Sequence, residues 1–387
     1  MDEHVIHTYK RAPEVFVSGR GATLVDRDGK EHIDFLAGIA VSALGHAYPP
    51  LIEAVSDQVE RVVHLSNLLR HPYTEAVATR VAEATGLEAS FFTNSGTEAN
   101  EAALKLARKV QKDRGKGHRV AFVALHAAFH GRSMGALSCT HAEKYRKPFG
   151  PLFPVTFVPQ DDVDALARAL RETEPAAFLC EPIQGEGGVR ELSAEFMQAA
   201  RQLCDETGTV LVHDEIQCGT GRTGRFLASQ WHDVQPDVVT LAKPIAGGLP
   251  MGMMTVRKEF AEVLQPGDHG STFAGGPLVC RAALVLLDAL RDGLLDDVQA
   301  RGRQLRDGLC ALQARHAAIR EVRGRGLMLG LRLERGAADV HQELHRLGLL
   351  TSLTAGDVIR IVPPYVITAR EIERGLELLD RGLATSN

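Results

Sequence analysis

An α/β fold, built on a mainly parallel mixed sheet and joined to a smaller α+β unit, is predicted by three observations. Short apolar runs alternate with longer stretches of helical period across residues 90–256. From residue 278 onward, helical stretches and strand-like runs mix instead of alternating. The chain has 387 residues, and at roughly 100–200 residues per domain that is about two units.

In order, the expected strands of the larger unit are 90–93, 120–125, 176–180, 209–213, 237–241 and 253–256. Amphipathic helices are expected at 98–112 and 194–207. The tail reads as a long helix from about Leu278, a single segment at 325–333, a helix near 340–347, a strand near 358–362 and a last helix from Ala369. At the other end, 22–26 and 31–35 look like strands around an Asp28-Gly29 turn. They are too few to fold alone. Residues 1–45 are therefore expected to pack with the small unit at 278–387, leaving 46–277 as the large unit.

Charge and composition exclude several functions. The chain has 44 Lys+Arg against 49 Asp+Glu, a formal net charge of −5, so no basic excess suits it to a phosphate backbone. Nucleic acid is not an expected partner. Neither is a membrane, since there is no polybasic run and no apolar stretch of about 20 residues. Residues 1–11 are polar. Cys139, Cys180, Cys204, Cys218, Cys280 and Cys310 lie far apart, with no Cys-x-x-Cys pair. These features together suggest a cytoplasmic protein with reduced thiols.

Three segments carry the chemistry. In Asn94-Ser95-Gly96-Thr97-Glu98-Ala99-Asn100-Glu101 a strand ends and a helix begins. Thr97 is the expected N-cap, with Glu98 and Glu101 in the first turn. Such a helix start suits an anion, although a well-capped helix alone would look the same. Asp214 follows the buried run 209–212, at the carboxyl end of its strand, where open α/β sheets bind ligands. A carboxylate there needs a cationic partner. Lys243 follows the run 238–241, and Pro244 and Gly247-Gly248 bar a long helix after it. A desolvated lysine at a strand end can act as a nucleophile. An anion cradle, an acid for a pyridinium nitrogen and a lysine to bond an aldehyde are what pyridoxal phosphate requires.

Further motifs, in order along the chain, extend the pattern. They are Phe35-Leu36-Ala37-Gly38-Ile39-Ala40-Val41 with Leu44-Gly45-His46, residues 94–108, and Phe129-His130-Gly131-Arg132. Glu181-Pro182-Ile183-Gln184-Gly185-Glu186-Gly187-Gly188, Asp214-Glu215-Ile216-Gln217 and Gly221-Arg222-Thr223-Gly224 follow. Last come Lys243, His269-Gly270-Ser271-Thr272-Phe273 and Arg360-Ile361-Val362-Pro363-Pro364. With these motifs the chain resembles the class III, fold-type-I aminotransferases over nearly its whole length. It departs from the family at Ser133, at Pro244-Ile245-Ala246 and at Ala274-Gly275-Gly276, which bears on the shape of the site.

The resemblance implies a large pyridoxal phosphate-binding domain at 46–277 and a site with assigned roles. Lys243 would bond the cofactor's aldehyde and shuttle a proton. Asp214 would pair with the ring nitrogen and Gln217 with the ring hydroxyl. Phe129 and Ile216 would pack on the two ring faces. Gly96 and Thr97 would hold the phosphate, with Ser95 and His130 in the same cofactor-contacting motifs. Thr272 would complete the site of a second subunit in a homodimer. For substrates, Arg132 would bind a carboxylate far from the reacting amine, and Arg360 one beside the reacting carbon. Glu186 would mask Arg360 when the donor lacks that carboxylate, unless the two form a permanent structural pair. Tyr9 and Ser271 complete the implied substrate contacts, and no metal is implied. The implied activity is amino transfer from the terminal amine of N2-acetyl-L-ornithine to 2-oxoglutarate, in arginine biosynthesis. Succinylornithine, ornithine, 4-aminobutyrate and acylated or carrier-bound lysine-pathway donors are the alternatives. A silent regulatory protein of the same fold is disfavoured by the retained Lys243, Asp214 and Arg360.

Two other motifs lead elsewhere. Gly219-Thr220-Gly221-Arg222-Thr223-Gly224 has the G-x-G-x-x-G spacing, but Asp237 precedes its strand, so a dinucleotide reading fails. The loop is expected to shape the cofactor crevice instead. His126 and His130 have i,i+4 spacing without the Glu of a zinc helix, and His213, Asp214 and Glu215 alternate faces on a strand.

Overall fold

The most apolar runs of the chain become strands buried on both faces. The computed structural model describes residues 4–385. Strands β1 (Phe16–Arg20), β2 (Thr23–Asp26) and β3 (Glu31–Asp34) form an antiparallel meander. Next come β4 (Ala89–Thr93), β5 (Phe122–Leu125), β6 (Val155–Val158), β7 (Ala177–Cys180), and a short hairpin of β8 (Ile183–Gln184) and β9 (Arg190–Glu191). Strands β10 (Val210–Asp214), β11 (Val238–Leu241) and β12 (Gly252–Val256) follow. The tail supplies β13 (Ile319–Arg325), β14 (Met328–Leu333), β15 (Leu349–Leu350), β16 (Ser352–Thr354) and β17 (Val358–Ile361).

The seven-stranded sheet has the order β4-β12-β11-β10-β7-β5-β6. Its strands are parallel except β12, which is antiparallel to both β11 and β4. The period-2 alternation of a strand divides its side chains between two layers. Val123, Leu125, Phe178, Cys180 and Leu211 pack with Leu166, Phe196 and Ala200 of the helices Val163–Thr173 and Ala194–Thr207. Phe122, Ala124, Leu179, Val210 and Val212 pack with Leu106, Ala107 and Val110 of the helix Gly96–Asp113. Burial on both faces is the usual condition of parallel strands.

The N-terminal meander joins the tail directly. β15 pairs in parallel with β3, bringing Leu349 opposite Ile33, and Glu371 Oε1 of the last helix accepts the Ala22 N–H at 3.2 Å. The tail's own sheet has the order β13-β14-β17-β16.

Several expectations differ from the structure. The segment at 325–333 is the second half of an antiparallel pair, β13 and β14, which begins at Ile319 and turns at Gly326. β6 was not anticipated, because 155–158 is only four residues long and partly exposed. Thr97 is not the N-cap of its helix. Ser95 is, its hydroxyl accepting the Glu98 N–H at 3.4 Å. Glu101 lies deeper in that helix and accepts the N–H groups of Gly135 and Ala136 at 2.8 and 3.1 Å. No residue of the Gly219–Gly224 loop lines the cavity described below. The loop is bound instead to the tail, where Arg222 donates to the Leu327 and Pro363 carbonyls and Tyr365 Oη to the Thr220 carbonyl.

Candidate active site

A cavity of about 460 Å³ opens where β4, β5, β7, β10 and β11 end. Asp214, Lys243, Phe129, Ile216 and Gln217 line it, as do Ser95, Gly96 and Thr97. Arg132, His130 and Glu186 also face it. Segments scattered from Ser95 to Lys243 therefore converge because their strands lie side by side and end on one edge.

Asp214 is the last residue of β10 and is buried. Its Oδ2 accepts His130 Nδ1 and Asn100 Nδ2, both at 2.7 Å, and its Oδ1 accepts the Ile216 N–H at 3.1 Å. Thr240 Oγ1 donates to Asn100 Oδ1 at 2.8 Å, which turns the amide's NH2 toward the acid. Burial alone would lower the His130 pKa, but the adjoining Asp214 carboxylate reverses this and the net shift is upward. The partner that Asp214 requires is thus His130, whose charged form the carboxylate favours. Asn100 gave no sequence signal beyond its place in the motif.

The helix start forms the anion cradle. The N–H groups of Gly96 and Thr97 lie in the first turn, where no intrahelical acceptor exists. A Cβ at Gly96 would sit 2.8 Å from Ile216, and one at Gly131 would strike Thr97 Oγ1. Glycine at both positions keeps this corner open. Thr97 Oγ1 bonds Ser133 Oγ at 2.6 Å and accepts the N–H groups of Arg132 and Ser133. The expected cap is thus a brace between the cradle and the Arg132 loop.

Lys243 follows β11, in the left-handed backbone region with φ of 46°. Among the described residues no hydrogen bond or ion pair engages its amine. Burial, with the charge of Arg360 nearby, lowers its pKa against the opposing pull of Asp214, Glu186 and Glu181. An amine without a partner and with a depressed pKa is available as a nucleophile and base.

Arg360 stands behind the cavity on β17, with its side chain 2 % exposed. Its Nη1 donates to Glu186 Oε1 at 2.6 Å and to Gln217 Oε1 at 3.1 Å, and its Nε to Ser352 Oγ at 3.0 Å. Glu186 is more open, at 38 % exposure. Glu181, which the sequence reading placed only within a motif, is buried at the cavity wall. Its two oxygens accept the N–H groups of Phe129 and Gly185 at 3.0 and 3.1 Å. Burial pushes its carboxyl up to about 7, with His130 opposing and Asp214 adding to the shift. It directly follows β7, beside the end of β10 where Asp214 stands, a signal that could have marked it.

Other expected residues lie outside this cavity. Ser271 Oγ accepts Asn94 Nδ2 at 2.9 Å. Thr272 is exposed, and Tyr9 is 78 % exposed. Among the described residues, no group of three or more His, Cys, Asp or Glu could hold a metal ion.

Comparison with known proteins agrees with this geometry. The family described as aminotransferase class-III matches residues 6–383. The acetylornithine aminotransferase of Aquifex aeolicus is 43 % identical over 97 % of this chain and 98 % of its own length. The mitochondrial acetylornithine aminotransferase of Alnus glutinosa is 44 % identical over 97 % of this chain and 84 % of its own. The chain is a class III aminotransferase.

Solved structures place the aminotransferase among the same relatives. The ornithine aminotransferase of Toxoplasma gondii superposes with a TM-score of 0.94 at 34 % identity, over 99 % of this chain and 93 % of that one. The N-acetylornithine aminotransferase of Stenotrophomonas maltophilia does so with a TM-score of 0.86 at 34 % identity, over 97 % of both chains. The fold is that of fold-type-I transaminases, and pyridoxal phosphate is the cofactor. The residues present fit that group. The cradle at Gly96 and Thr97 suits its phosphate, Asp214 its ring nitrogen, and the unpartnered Lys243 its aldehyde.

Proposed function

We propose that the aminotransferase moves the terminal amine of N2-acetyl-L-ornithine to 2-oxoglutarate, forming N-acetyl-L-glutamate 5-semialdehyde and L-glutamate. It would do so reversibly, in the cytoplasm, as a step of arginine biosynthesis. The observation that carries this reading is the Glu186–Arg360 contact at 2.6 Å, set beside an Arg132 that no carboxylate among the described residues neutralises.

One site must accept two differently charged substrates. Acetylornithine presents no carboxylate beside its reacting carbon, and Glu186 then keeps the Arg360 charge neutralised. Glutamate and 2-oxoglutarate do present one, and the partly exposed Glu186 gives way so that the planar fork of Arg360 can bind it at two points. Arg132 takes the distant carboxylate in both cases. A 4-aminobutyrate or free ornithine donor remains the alternative reading of the same pair.

Pyridoxal phosphate, when bound, supplies an aldehyde that accepts the amine and a protonated ring that draws electrons from the reacting C–H bond. The chain supplies the rest. Asp214, held by His130 and Asn100, keeps a negative charge where the ring nitrogen's proton would sit. Lys243 Nζ takes the proton from the carbon that bears the reacting amine. Phe129 and Ile216 cover the two sides of the crevice, and Gln217 offers an amide at its edge.

The working unit is a homodimer in this reading, with Thr272 completing the partner's site. Apolar surface beside Thr272 supports it. Leu68 and Phe273 are 93 % and 67 % exposed, and Asn67 Nδ2 ties their two segments together at Ser271 O.

The test is a spectral titration of the cofactor-loaded protein with no keto acid present. Acetylornithine, ornithine, 4-aminobutyrate and succinylornithine are added separately. Loss of the visible cofactor band at the lowest concentration with acetylornithine is expected. A different best donor overturns the substrate, and a band that no donor changes overturns the activity.

A further inference from the structure

Arg132 and Arg360 are held in opposite ways. Arg360 meets a carboxylate at 2.6 Å. Arg132 meets none. Among the described residues its guanidinium makes no ion pair and its side chain no hydrogen bond, and it rests on aromatic rings instead. Its Cζ lies 3.6 Å from the centroid of the Tyr145 ring and 5.5 Å from that of Phe129. The two rings meet edge to face, with centroids 6.5 Å apart and planes at 86°.

An aromatic face and a carboxylate act differently on a guanidinium. A carboxylate occupies its N–H edge and cancels its charge. A ring occupies its face, attracts the cation, and leaves the edge donors in place for another acceptor. Stacking also removes rotamer freedom before substrate arrives, so less is lost on binding. Tyr145 stands at a suitable point for this. It borders a second cavity of about 710 Å³, and that cavity shares Phe129 and Glu186 with the active-site cavity that Arg132 lines.

We infer that Tyr145 is a positioning residue that selects for substrates with a carboxylate far from the reacting amine, acting through Arg132. This rests on the transaminase reading above. It assigns to a residue outside the cavity the preorganisation of one substrate clamp. The hydroxyl of Tyr145 has no part in it, since only the ring face meets Arg132.

The test compares Tyr145→Ala and Tyr145→Phe in the cofactor-loaded enzyme. Two donors of equal length are used: 5-aminopentanoate, which carries the distant carboxylate, and pentylamine, which lacks it. In Tyr145→Ala, kcat/KM for 5-aminopentanoate is expected to fall about tenfold, through KM more than kcat. Pentylamine should stay within about twofold, and Tyr145→Phe should restore both. Pentanoate, which binds without reacting, gives a second reading, with its inhibition constant rising about tenfold in Tyr145→Ala alone. Equal losses for both donors, or an unchanged pentanoate constant, overturn the inference. A parent enzyme that leaves acetylornithine unconverted as well overturns the transaminase reading instead.

Discussion

His130 Nδ1 lies 2.7 Å from Asp214 Oδ2, and both side chains are buried. This contact decides how an acid can sit at the end of a central strand. Leaving water costs a carboxylate several kcal/mol unless charge and hydrogen bonds compensate. Asp214 receives three donors, one of them the His130 imidazole, whose charged form it favours. It is therefore fixed in place, which the proposed pairing with a cofactor ring nitrogen would require.

Removing the cation leaves a buried charge alone. His130→Ala should destabilise the protein by about 3 kcal/mol, read from urea unfolding. It should also weaken cofactor retention on dialysis. A variant as stable as the parent would remove the pair's structural role.

Lys243→Ala should behave in the opposite way. Turnover should drop on the order of 10³-fold or more, and the lysine-dependent visible band should vanish. Because no described residue pairs with the Lys243 amine, the cofactor-free protein should stay within about 1 kcal/mol of the parent. Substantial remaining turnover would remove Lys243 from the mechanism.

The two ends of the Glu186–Arg360 pair should separate by substrate. Arg360→Ala loses a two-point carboxylate contact, so KM for 2-oxoglutarate should rise about 100-fold and that for acetylornithine only a few-fold. Glu186→Ala leaves Arg360 unmasked. The acetylornithine half-reaction should then slow about tenfold, and the glutamate half-reaction less. Single-turnover rates from each side would read both. Equal effects on the two substrates would favour a permanent structural pair.

Glu181 and His130 predict the direction of a pH effect. Burial raises Glu181 from 4.5 to about 7, and Asp214 raises His130 above 6.5. At these two groups the folded chain thus holds more protons than the unfolded one. Both contributions are present in full below the unfolded pKa values, and each is lost as pH rises through the folded value. Glu181→Gln cannot ionise and keeps a side chain of similar shape. Its stability relative to the parent should improve between pH 5 and pH 8. Denaturant midpoints at the two pH values would show it, and a constant difference would mean that Glu181 titrates as an ordinary surface acid.

Much of the site was legible along the chain, for a local reason. Asp214 and Lys243 each follow a run of apolar residues, so each had to sit where a buried strand reaches the sheet edge. The helix start at Gly96 was visible for the same reason, although its cap was misplaced by two residues. Ser95 and Thr97 are both good capping residues, and only the folded chain shows Ser95 accepting the Glu98 N–H while Thr97 bonds Ser133. The edge strand β6 and the β13–β14 turn were missed because short or partly exposed strands carry little periodic signal.

By itself, then, the sequence determined the fold class, the family motifs and which side chains stand at the strand ends, because alternation and turn residues act over a few positions. The tertiary structure decided which of those ends meet. Glu186 and Arg360 are 174 residues apart, and Asn100 reaches Asp214 across 114. Tyr145 under Arg132 depends on how one loop folds back. Such pairs follow from strand order and loop path, which no local pattern specifies, and they set the charge and orientation of every group in the cavity.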